Sequence, residues 1–101
     1  MKLNLTHSNR LGRKAGRELI QKRIAQAALQ YKLKVKTDWS ELPSSSSLSF
    51  STSYKGTSVI GKIGVFDQYL NVEGDLTGMV ALLGPETITN YVNKFLDDCG
   101  F

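Results

Sequence analysis

The sequence predicts an α+β domain in which two amphipathic helices pack on one face of a single antiparallel sheet of about five strands. Five segments alternate apolar and polar residues, two longer segments place apolar residues at helical spacing, and short turns join the later strands. The predicted order is β-α-β-β-β-β-α, an arrangement of the TBP-like or helix-grip type. With 101 residues, the chain has the length of one domain covering residues 1–101.

All the predicted strands have the alternation that is typical of strands buried on one face. The first covers residues 2–6, and the second runs from Leu33 to Trp39. A serine-rich polar loop, residues 40–47, follows and is expected to be mobile. The inward residues of the last three strands are Leu48, Phe50, Thr52 and Tyr54, then Val59, Gly61, Ile63 and Val65, then Leu70, Val72, Gly74 and Leu76.

Two segments predict helices. From Arg10 to Tyr31 the apolar residues recur every three or four positions, and Ser8 or Asn9 is expected to cap the helix start. Gly16 is expected either to weaken this helix or to let it approach the sheet closely. The second helix is predicted to begin at Pro85 and to stop at Gly100. Before it, Met79 to Leu83 is expected to form a short helical lead-in or the end of the preceding strand.

The charge of the chain is unevenly distributed along its length. Residues 1–36 carry ten basic residues and one acid, a net charge of +9, whereas residues 37–101 carry three basic residues and eight acids, a net charge of −5. The first helix therefore has a candidate face for an anionic partner, formed by Arg10, Arg13, Lys14 and Arg17. An acidic protein, an anionic surface or simple solvation would each explain it. Nucleic acid is disfavoured, because no RNA-reading aromatic motif or helix-turn-helix pattern accompanies these cations.

The residues with catalytic potential are few and scattered. His7 is the only histidine and Cys99 the only cysteine, so a nucleophilic pair would require these two to meet, and a structural zinc would lack ligands. Glu73 and Asp75 share one strand face, where paired carboxylates can act as acid and base, but a solvated face is the simpler interpretation. We predict a protein that is not an enzyme, with no catalytic residues, no cofactor and no metal.

Four aromatic residues suggest a binding pocket. An apolar cavity between the C-terminal helix and the sheet would serve a carrier of small hydrophobic ligands. Its candidate lining residues are Tyr54, Phe66, Tyr69 and Tyr91. A closed core in the same place is the alternative interpretation.

The sequence also bears on compartment and assembly. No apolar stretch approaches the length of a membrane span, and residues 1–5 do not resemble a signal peptide, so we expect a cytoplasmic protein of bacterial type. A single cysteine excludes an intramolecular disulfide. The sequence does not determine the oligomeric state, and a homodimer is compatible with it.

Three segments carry a family resemblance. They are residues 6–12 with Ala15, residues 61–65 with Phe50 and Gly56, and residues 70–76 with Leu82, Leu83, Gly84, Ile88, Leu96 and Asp97. These segments resemble the polyhydroxyalkanoic acid system proteins, small bacterial proteins linked to polyester-granule genes. The resemblance implies a non-enzymatic accessory or binding role near storage-polymer metabolism. In that role, the basic helix face and the Met79–Leu83 segment would contact a protein or a granule surface.

Overall fold

The predicted element order is confirmed by a computed structural model, which describes residues 1–78 and 82–101. The elements are β1 (Lys2–Ser8), α1 (Arg13–Gln30), β2 (Lys36–Glu41), β3 (Ser46–Tyr54), β4 (Thr57–Val65), β5 (Tyr69–Gly78) and α2 (Pro85–Cys99). The chain therefore has an α+β fold, as the sequence predicts. The interpretation of Met79 to Leu83 lies mostly outside the described residues.

One antiparallel sheet contains all five strands, in the order β1-β5-β4-β3-β2. Strands β2 to β5 form a meander, and β1 lies beside β5, the strand farthest from it along the chain. Leu5 and Ile63 both pair with Val72 from opposite sides, and Ile63 pairs in turn with Leu48. Because side chains alternate along a strand, this register gathers the apolar residues on one face.

Both helices pack on this apolar face and complete one core. The buried residues are Leu3, Leu5, Ile20, Leu48, Val65, Leu70, Val72, Leu76, Ile88, Leu96 and Phe101. Gly16 lets α1 approach the sheet, because a Cβ atom there would lie 3.2 Å from Val65 Cγ1 and 3.3 Å from Phe101 Cε1. The close-approach interpretation of Gly16 is therefore confirmed.

The start of α1 differs from the prediction. The helix begins at Arg13 instead of Arg10, and its N-cap is Gly12, which offers no side-chain cap. Asn9 is buried and stabilises the connection between β1 and α1, because its amide nitrogen donates to Gly12 O at 3.0 Å and to Phe66 O at 2.8 Å. Its Oδ1 accepts from the Leu11 amide nitrogen at 3.0 Å. The capping prediction is wrong because the Asn9 amide satisfies backbone groups of two chain segments instead of the first turn of the helix.

The serine-rich segment also differs from the prediction. Strand β2 starts later than expected and extends to Glu41, and β3 already begins at Ser46, so the loop between them shrinks to residues 42–45. Ser45 and Ser46 are buried. The prediction of a longer loop is wrong because serines pair their backbones in a ladder as readily as other residues when a neighbouring strand is available.

The described residues leave the second face of the sheet without a covering layer. We call it the open face. Its residues come from the alternate register positions and include Lys2, Asn4, Lys36, Asp38, Ser47, Ser49, Ser51, Ile60, Lys62, Asn71, Glu73 and Asp75. The domain thus presents two unlike surfaces, one formed by helices and one by strands.

Candidate functional site

The helix layer contains an apolar groove between the C-terminal half of α1 and the middle of α2. We call it the interhelical groove. Its volume is about 430 Å³, and it is lined by Arg23, Gln26, Ala27, Gln30, Tyr31, Leu33, Tyr91, Val92 and Phe95. This volume falls within the usual range for small-molecule pockets, roughly 300–1,000 Å³.

The groove follows from the spacing of residues in the two helices. On α2, Ile88 and Leu96 point into the core, while Tyr91 and Phe95 lie one turn apart on a neighbouring strip of the helix. Their exposed fractions, 72% for Tyr91 and 46% for Phe95, are high for large apolar residues. On the α1 side the wall includes the small residue Ala27, which leaves space between the helices. The groove therefore exposes aromatic surface that the core does not use.

Polar groups border the apolar surface of the interhelical groove. Arg23, Gln26 and Gln30 line the α1 side, and the two tyrosines carry hydroxyl groups. Nearby, burial raises the pKa of the Cys99 thiol, an effect that the positive charge of Arg23 partly opposes. A raised pKa keeps the thiol protonated at neutral pH, and the protonated form is a poor nucleophile.

The four aromatic residues predicted to line one pocket lie in different places. Phe66 and Tyr69 stack on each other at the β4–β5 turn, with ring centroids 4.4 Å apart. Tyr54 lies at the end of β3, where the Lys55 ammonium is 5.2 Å from its ring, and Tyr91 lies in the interhelical groove. Between α2 and the sheet the structure places the buried side chains of Ile88, Leu96 and Phe101. This region is therefore packed with side chains, as the alternative of a closed core predicts.

The four cations of the predicted anionic-partner face divide into two pairs. Arg13 and Arg17 are engaged within the chain, where both contact Glu41, at 3.3 Å and 2.5 Å. The Arg17 guanidinium also lies over the Trp39 ring, 4.4 Å from its centroid. Arg10 and Lys14 are exposed.

Arg13 holds the turn between β2 and β3 in place. Its guanidinium donates to Leu42 O at 2.6 Å, to Ser45 O at 2.7 Å and to Pro43 O at 3.1 Å. It also donates to Ser46 Oγ at 3.2 Å. Hydrogen bonds from Ser46 and Arg17, together with Arg13, hold the pKa of Glu41 below its ordinary value of 4.5. Local spacing cannot reveal this cluster, because its arginines on α1 lie about thirty positions from the residues around the β2–β3 turn.

The residues with catalytic potential do not assemble into a site. His7 Nε2 lies 2.8 Å from Asp97 Oδ1, and its Nδ1 lies 2.7 Å from Ser8 O, so the ring ties β1 to α2 and does not pair with Cys99. Glu73 and Asp75 lie on the open face, opposite Lys62 and Lys2 respectively. Across residues 1–78 and 82–101, no group of three or more His, Cys, Asp or Glu side chains could hold a metal ion. Within the same ranges, no helix is both long and apolar enough to cross a membrane.

Comparisons with protein-family models, curated proteins and solved structures find no match to this chain. The resemblance to polyhydroxyalkanoic acid system proteins therefore stays a prediction. The interhelical groove is the feature that sequence reasoning missed. The exposed strip of Tyr91 and Phe95 at helical spacing was its only signal, because the position of α1 beside it depends on the tertiary fold.

Proposed function

We propose that this chain is a non-enzymatic binding domain that attaches to an apolar surface through its interhelical groove. One observation carries the proposal: Tyr91 and Phe95 expose aromatic surface beside a groove of about 430 Å³. Exposed apolar clusters bordered by polar groups are typical of interaction sites. Leu29, Leu82 and Leu83 expose further apolar surface on α1 and just before α2.

The surface of a polyester storage granule is the occupant that we propose. A polyester presents hydrocarbon together with ester oxygens, which accept hydrogen bonds but cannot donate them. The groove offers a matching set, with aromatic rings for the hydrocarbon and donors from Arg23, Tyr31 and Tyr91 for the ester oxygens. The family resemblance suggests the same type of surface.

The test is co-sedimentation of the purified chain with polyhydroxyalkanoate particles, with and without substitutions in the groove. The double variant Tyr91→Ser, Phe95→Ser should lower the bound fraction at least about tenfold, because both exposed rings are removed. Ile60→Ser is the matched control, since Ile60 is 62% exposed but lies on the open face. If the native chain remains in the supernatant, or if Ile60→Ser reduces binding equally, the proposal is wrong.

A carrier of small hydrophobic ligands is the second candidate, because the groove volume suits one small molecule. A monomeric fluorescent fatty acid distinguishes the two functions. Saturable one-to-one binding of this probe, without retention of the chain on polyester particles, would favour the carrier. The alternative of an anionic partner on α1 is weakened, because Arg13 and Arg17 already have acceptors within the chain.

A further inference from the structure

The open face has a balanced charge. Three lysines, Lys2, Lys36 and Lys62, share it with three carboxylates, Asp38, Glu73 and Asp75. Several of these groups alternate in sign between neighbouring strands: Lys62 pairs with Glu73, and Lys2 pairs with Asp75. A polyanion gains affinity mainly by binding clustered cations, so a face without excess positive charge is poorly suited to nucleic acid.

Uncharged hydrogen-bonding groups lie between these charges, beside the exposed apolar side chain of Ile60. Ser47, Ser49 and Ser51 form a hydroxyl row along β3, and the Asn71 amide nitrogen donates to Asn4 Oδ1 at 3.3 Å between β5 and β1. Hydroxyls and amides both donate and accept hydrogen bonds. Charged residues are depleted at the centres of protein–protein interfaces, so a face centred on Lys62 and Glu73 is also poorly suited to a second copy of the chain.

An aromatic pair lies at one end of this polar surface. The Phe66 and Tyr69 rings stack with an interplanar angle of 12°. Gly64 gives the Phe66 ring room to lie close to the sheet, because a Cβ atom there would be 3.1 Å from Phe66 Cε1. Tyr69 is 41% exposed, so part of its ring remains available to a ligand.

Two adjoining depressions connect the aromatic pair with the polar groups. The first has a volume of about 260 Å³ and includes Phe66, Tyr69, Asn71 and the loop residues Leu42 and Ser45. The second has a volume of about 490 Å³ and extends over the hydroxyl row towards β2. Lys62 and Glu73 line both depressions, which therefore form one trough across the sheet. Arg13 fixes the loop wall of this trough through the carbonyls of Leu42 and Ser45.

From this arrangement we propose that the open face binds a neutral oligosaccharide. A sugar ring has one face of C–H groups, which packs on an aromatic ring, and a periphery of hydroxyls that donate and accept hydrogen bonds. Tyr69 and Phe66 supply the aromatic surface, and serine, asparagine, carboxylate and ammonium groups supply partners of both kinds. The two joined depressions suit a chain of several sugar units better than a single sugar.

The experiment is a titration of the ¹⁵N-labelled chain with neutral oligosaccharides, followed by NMR amide shifts. Maltohexaose, cellohexaose and hexa-N-acetylchitohexaose serve as probes at up to about 10 mM, a concentration that detects dissociation constants in the millimolar range. We expect saturable shifts for at least one probe, confined to residues of the trough. Tyr69→Ala should weaken that binding at least about tenfold, and Asn71→Ala should weaken it to a smaller extent.

Tyr54→Ala is the matched control, because Tyr54 is 46% exposed on β3 but lies outside both depressions. It should leave oligosaccharide binding unchanged, and the thermal midpoint of each variant checks that the fold persists. The proposal is overturned if none of the three probes shifts the trough residues, or if Tyr69→Ala binds as well as the native chain. Tighter binding of an oligonucleotide to the same trough would also overturn it. A dimer in solution whose interface is formed by the open face would overturn the proposal as well.

Discussion

At the scale of single residues, Arg13 has the largest set of polar contacts in the part of the chain that the structure describes. Arg13→Ala should lower the free energy of unfolding by about 2 kcal/mol, because the side chain donates to three backbone carbonyls and to Ser46 Oγ. Arg13→Lys should recover only part of this loss, since an ammonium cannot span the planar set of acceptors. Urea unfolding measures the change. Lys14→Ala is the matched control, because Lys14 is exposed, and a surface substitution should change stability by less than about 0.5 kcal/mol.

Glu41 should make the free energy of unfolding of the domain depend on pH. Its folded-state pKa lies below the ordinary value of 4.5, chiefly because Ser46 and Arg17 donate hydrogen bonds to the carboxylate. A lowered folded pKa stabilises the fold above the unfolded value, and the stabilisation is lost as the pH falls from about 4.5 through the folded pKa. The measurement compares urea midpoints of the native chain and Glu41→Gln from pH 7 downwards. The difference between them should shrink on acidification, and a constant difference would contradict the prediction.

At the scale of secondary-structure elements, the two glycines that pair across β4 and β5 should respond differently to substitution. A Cβ atom at Gly61 would lie 2.7 Å from both Glu73 O and Phe50 Cζ, whereas one at Gly74 would meet nothing closer than 3.7 Å. Gly61→Ala should therefore destabilise the fold by about 1–3 kcal/mol, the usual cost of overpacking. Gly74→Ala, opposite it in register, is the control. Thermal unfolding should show a clear drop in midpoint for Gly61→Ala alone, and equal drops would contradict the prediction.

The elements also show how far the sequence predicts this molecule. The order of strands and helices follows from local periods of two and of three to four residues, so the meander of β3, β4 and β5 could be predicted from them. The start of α1 could not be predicted in this way, because Asn9 donates to the backbone carbonyl of Phe66, more than fifty positions away. The same limit applies to the candidate sites. Tyr91 and Phe95 are visible as an exposed strip, but the groove needs α1 as its second wall, and only the tertiary fold supplies this wall.

At the scale of the whole molecule, one sheet separates the two proposed binding surfaces. The interhelical groove lies in the helix layer, the trough lies on the open face, and the buried core lies between them. Residues without shared partners contribute almost additively to measured free energies. Tyr91→Ser with Phe95→Ser should therefore leave oligosaccharide affinity within about twofold of the native value, and Tyr69→Ala should leave particle binding equally unaffected.

Saturation of one surface should likewise leave the other available. Co-sedimentation with polyester particles, repeated at a saturating concentration of the best oligosaccharide probe, should recover the same bound fraction of protein. Competition would contradict this expectation, because it would require either one shared surface or a sheet that transmits a change between its faces. An adaptor must hold two partners at the same time. The domain can act as an adaptor if both ligands stay bound together, because a single sheet keeps the two binding surfaces apart.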